Sequence, residues 1–115
     1  MSTVLQIYEA IDRLGPFFLS MDFDNTGILV GDRQKKVERA LLALDCTKEV
    51  LRQAKELGAQ LIITHHPIIF HPIKRVNEDS LVYHLLRSDI AVISAHTNLD
   101  IAQGGVNDLL AKRIG

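Results

Sequence analysis

The apolar run Leu61-Ile62-Ile63-Thr64 passes directly into His65-His66-Pro67. A second run, Ile90-Ala91-Val92-Ile93-Ser94, passes into Ala95-His96-Thr97-Asn98-Leu99-Asp100. Short continuous apolar runs of this kind are buried strands, as in a parallel sheet. In an open α/β sheet, ligands bind outside the carboxyl ends of the strands. Two adjacent strands would therefore deliver three histidines and a carboxylate to one sheet edge. Imidazole and carboxylate are ligands of Zn, Mn, Fe and Ni. Neighbouring histidines on an extended backbone point in opposite directions. One ion would struggle to use both, whereas two ions a few ångströms apart could take one each. The residues read as half of a dinuclear metal site.

The remaining pattern supplies the α/β frame. Val4, Ile7, Tyr8, Ile11 and Leu14 recur at helical spacing until Gly15-Pro16, which predicts an amphipathic helix over residues 3–14. Residues 26–32 and 40–44 read as two short strands. Thr47 is suited to cap a helix with Val50, Leu51, Ala54 and Leu57 on its apolar face, and Gly58 to end it. Residues 68–79 lack a period and read as a loop. Ser80 is placed to cap a helix with Leu81, Leu85 and Leu86 turned inward. Gln103-Gly104-Gly105 precedes a last helix bearing Val106, Leu109, Leu110 and Ile114 on one side. This order predicts an α/β fold, a three-layer type with a sheet of mostly parallel strands between flanking helices.

Composition narrows the function classes. At 115 residues the chain reads as one domain, and its net charge of −1 comes without a basic stripe for nucleic acid or anionic lipid. Its apolar runs are far shorter than the ~20 residues of a membrane span. The N-terminus lacks the pattern of a secretory signal, and Cys46 is the single cysteine, so a cytoplasmic protein is expected. Several polar groups have ordinary explanations. The Asp22-to-Gly27 stretch suits a turn, and Asp45 the approach to a helix cap. Cys46 suits a small buried hydrophobe, His71 a loop position and His84 an exposed helix face.

The blocks Asp24-Asn25-Thr26-Gly27-Ile28-Leu29-Val30-Gly31, Ala43-Leu44-Asp45-Cys46-Thr47, Thr64-His65-His66-Pro67-Ile68-Ile69-Phe70, Ser94-to-Asp100 and Gly104-Gly105-Val106-Asn107-Asp108 occur in order. Together they resemble the N-terminal part of the Nif-three-like family, the GTP cyclohydrolase I type 2 homologues. The resemblance runs over essentially the whole chain. Phe23 stands where family members usually carry a tryptophan or a similar residue.

The resemblance implies a dinuclear centre inside a toroidal homohexamer, with two similar α/β halves per subunit. It assigns His65 to one metal, His66 to the other and Asp100 as a further ligand. His96 becomes a polar site residue, here the candidate catalytic group that orients substrate or moves a proton. The family's remaining ligands, in an H-x-x-x-E block, have no counterpart here, so residues 1–115 are expected to be an N-terminal metal-site domain of a longer protein.

The activity implied is that of a hydrolase using two divalent ions to activate water. Its substrate would be a nucleotide or phosphoester, and no phosphate-loop lysine or guanine-reading motif narrows the choice. The alternative is a non-catalytic metal-binding scaffold that forms rings and recruits partners. A metal-free Rossmann-like binder is disfavoured, since no G-x-G-x-x-G follows a strand.

Overall fold

The computed structural model describes residues 2–14, 25–69 and 71–95. A two-residue strand, β1 (Ser2–Thr3), leads into helix α1 (Val4–Leu14), and strand β2 spans Gly27–Val30. Strands β3 (Lys36–Val37) and β4 (Ala40–Ala43) precede helix α2 (Lys48–Leu57). Strand β5 (Leu61–Thr64), helix α3 (Leu81–Arg87) and strand β6 (Ala91–Ser94) follow. The predicted Gly15-Pro16 stop and last helix lie outside the described residues.

The main sheet has the order β2-β6-β5-β4. Strands β4, β5 and β6 are parallel, while β2 runs antiparallel to β6. The sheet is thus mostly parallel, as expected. Strands β1 and β3 form a separate antiparallel pair that the sequence pattern did not reveal.

Side-chain alternation divides the core between the two faces. Leu61, Ile63, Ala91 and Ile93 join Val4 and Ile11 of α1 on one face. On the other, Ile62 and Val92 meet Leu51 and Ala54 of α2 and Leu85 of α3. Each fully buried Val, Leu or Ile side chain among them contributes about 1.5–3 kcal/mol by leaving water. The result is helix, sheet and helix in three layers. A β-bulge between Ile28 and Val30 interrupts the alternation of β2. Ile28 consequently packs on the first face and Val30 on the second.

The helix ends follow local chemistry. Thr47 caps α2, its hydroxyl accepting from Val50 N at 3.1 Å. Gly58 closes the helix in the left-handed region at φ 69°. Two expectations for α3 are corrected. Ser80 precedes the helix but does not cap it through its side chain; its Oγ accepts from Asn77 N instead. Leu86 is 53% exposed, because consecutive helix residues stand about 100° apart, so with Leu85 turned to the core Leu86 turns aside.

Candidate metal site at the carboxyl edge of the sheet

Parallel pairing sets Ala43 beside Thr64 and Thr64 beside Ser94, so β4, β5 and β6 all end at one edge. Antiparallel β2 begins there, with Gly27 beside Ser94. The edge therefore receives the chain leaving β4 at Leu44-Asp45, that leaving β5 at His65-His66, and that entering β2 at Asn25-Thr26. Ala95, bonded through its N–H to Thr64 O at 3.0 Å, leaves β6 at the same edge. His96 follows Ala95 in sequence. His96, Asp100 and the Gly104-Gly105 pair lie outside the described residues.

The histidine turn is held by its backbone. His65 N donates to Ala43 O at 3.2 Å and His66 N to Leu44 O at 2.9 Å, carrying the β4–β5 ladder past both strands. The buried Thr64 hydroxyl donates to His66 O at 2.8 Å. Asn25 Nδ2 donates to Ile69 O at 2.6 Å, tying the Asn25-Thr26-Gly27 segment to the turn. The two imidazoles have ring centroids 5.1 Å apart with planes inclined at 54°.

Sequence reasoning passed over Asp45, which the structure sets against His66. Its Oδ1 lies 2.9 Å from His66 Nδ1. The signal was present in the pattern. Asp45 stands two residues beyond Ala43 and His66 two beyond Thr64, so paired parallel strands put them side by side. Ser94, fully buried beside Thr64, has a hydroxyl without a hydrogen-bond partner among the described residues.

Cys46 is a half-buried thiol, and burial pushes its pKa up to about 11. That fits the expected unreactive small hydrophobe. Among the described residues, no group of three or more His, Cys, Asp or Glu side chains gathers as a metal cluster. Asp45 pairs with His66, and His65 adjoins His66 through the ring contact.

A cleft of about 670 Å³ lies at the opposite edge, lined by Lys35, Lys55, Gln60, His84, Arg87 and Asp89 among others. Two helix ends, Gly58 after α2 and Ser88 after α3, also line it. Cations near helix carboxyl ends offset the exposed carbonyl dipoles. Lys55 and Arg87 therefore have a structural explanation there. His84 is only partly exposed, and its Nε2 bonds to Glu78 O at 2.7 Å, away from the histidine turn.

An α/β domain with an open parallel edge and a backbone-locked histidine pair is the class that this geometry defines. The Duf34/NIF3 (NGG1p interacting factor 3) family pattern covers residues 2–115, and the chain belongs to that family. It is 45% identical over 113 residues to the GTP cyclohydrolase 1 type 2 homolog of Clostridium perfringens, covering 95% of this chain and 43% of that protein. The solved Bacillus cereus protein related to NIF3 matches all of this chain at 40% identity and a TM-score of 0.86, over 33% of its own length. A Staphylococcus aureus hypothetical protein of known structure matches 96% of this chain at 38% identity and a TM-score of 0.87. That match covers 38% of the Staphylococcus aureus chain. The chain thus spans less than half the length of these relatives.

Proposed function

We propose that this domain supplies part of a dinuclear metal centre for hydrolysis of a nucleotide or phosphoester. The observation that carries the reading is the His65-His66 turn, fixed at the carboxyl edge by the ladder to β4 and by Thr64. The donor chemistry fits divalent ions of the Zn, Mn, Fe or Ni type: two imidazoles, one of them backed by a carboxylate. His65 would bind one ion and His66 the other, with Asp100 as a charged third ligand. Bound there, two divalent ions would supply Lewis acidity and water activation at neutral pH. His96, the residue after Ala95, would orient substrate or move a proton. No described helix is long and apolar enough to cross a membrane. A lone free thiol suits a reducing compartment, and the reading takes the cytoplasm as the location.

The same reading takes residues 1–115 as the N-terminal half of a two-half subunit, assembled as a toroidal homohexamer. A ring-forming scaffold without turnover is the second reading. It is favoured by apolar residues exposed along β4 and just beyond it, Leu42 at 47% and Leu44 at 66%. Elemental analysis of the intact protein, followed by nucleotide and phosphoester hydrolysis with and without chelator, tests both. Metal with chelator-sensitive turnover supports the hydrolase, metal without turnover the scaffold, and absence of metal overturns the metal centre.

A further inference from the structure

We propose that Asp45 is a positioning residue for His66, fixing which ring nitrogen His66 offers to an ion. The proposal rests on the reading of His66 as a ligand. A carboxylate has only acceptor oxygens, so the 2.9 Å contact from Asp45 Oδ1 to His66 Nδ1 requires the proton on Nδ1. The lone pair of the neutral ring then resides on Nε2. A ligating imidazole is commonly held in this way, its second nitrogen donating to a carboxylate.

The fold prepares the pairing before any ion is present. Asp45 and His66 leave adjacent parallel strands in matching register. His66 is held at its amide by Leu44 O and at its carbonyl by Thr64 Oγ1. Asp45 is not needed as the helix cap, because the Thr47 hydroxyl fills that role. Its side chain is 61% exposed and that of His66 48%, so packing alone does not enclose the ring, and the Asp45 contact bears on its orientation.

The test uses the intact protein labelled with 15N only in histidine. In metal-free samples, above the ordinary titration range of imidazole, ring-nitrogen shifts report the tautomer. The His66 signals are identified as those lost in H66Q. The parent should show Nδ1–H at His66, and D45A should lose that preference. D45N keeps an acceptor oxygen and should restore it in part. Zinc competition titrations should then show a 10–100-fold loss of affinity in D45A and a smaller loss in D45N. Identical tautomers in the parent and D45A overturn the proposal. A tautomer change that leaves zinc affinity untouched overturns it as well. A parent that binds no zinc overturns the metal reading instead. The metal-free tautomer comparison keeps the two failures apart.

Discussion

Thr64 and His66 are joined by a hydrogen bond from the buried Thr64 hydroxyl to the His66 carbonyl, 2.8 Å long. The bond folds the chain back on itself where β5 ends, so that a strand residue sets the direction of a site residue. Short hydroxyl-to-backbone bonds of this kind compete with continued strand structure and favour a turn. The strand itself needs only a β-branched side chain at position 64, and valine would satisfy that need.

Thr64→Val should therefore preserve β5 and release the turn. The expected loss of stability is about 1 kcal/mol, the usual net worth of one hydrogen bond. Zinc affinity should fall as well, because the His66 carbonyl is no longer held. Urea unfolding and zinc competition measure the two effects. Lower stability with unchanged affinity would show that the turn is set by the ladder alone.

If Asp100 is a ligand, its charge offsets part of the charge of two divalent ions. Asp100→Asn keeps the size of the side chain and removes the charge, so metal content should fall 10-fold or more. His84→Ala should leave metal content unchanged, since His84 lines the opposite cleft and bonds to Glu78 O. Metal analysis of purified intact protein distinguishes these outcomes. Equal metal in the parent and both variants would show that Asp100 is not a ligand.

Strand periodicity and capping chemistry made most of the frame legible. The buried β5 and β6 runs, the Thr47 cap and the Gly58 stop are local signals, and each appears where the residues predict it. Three features depended on pairing rather than on local pattern. The β1–β3 pair is two residues long on each side, too short to show alternation. The antiparallel sense of β2 comes from its partner β6. Asp45 looked like a residue preceding a cap until the β4–β5 register set it against His66. The apolar content of α3 suggested a wider buried stripe than its geometry permits. Leu85 is buried and Leu86 is not.

Gly31, at the end of β2, has φ 105° and lies against β6. A Cβ there would stand 2.7 Å from Ala91 Cβ and 2.8 Å from Ala91 Cα. Ala91 is itself buried in the sheet and cannot withdraw cheaply. Gly31→Ala combines this clash with backbone strain, each worth about 1–3 kcal/mol. The variant should unfold at markedly lower urea concentration with an unchanged slope. Parent-like stability would mean that β2 can shift away from β6.

Burial raises the Cys46 pKa from 9.0 to about 11. The thiolate is the nucleophile, so the folded protein should react slowly with iodoacetamide at pH 8. Three pH units below the pKa, about one thiol in a thousand is ionised. The same shift has a thermodynamic sign. The folded state holds the proton more tightly than the unfolded chain, so its contribution to stability is complete below about pH 9. It is lost as pH rises through about 11. Tyr8 is also raised, by burial first and by Asp12 second, and adds to the loss at the alkaline end. Cys46→Ala should therefore weaken the decline in urea midpoint without abolishing it. Alkylation rates and urea midpoints measured from pH 7 to 11 check both consequences. Rapid alkylation at pH 8 by the folded protein, with no opening of the structure, would show that the Cys46 thiol is activated rather than suppressed.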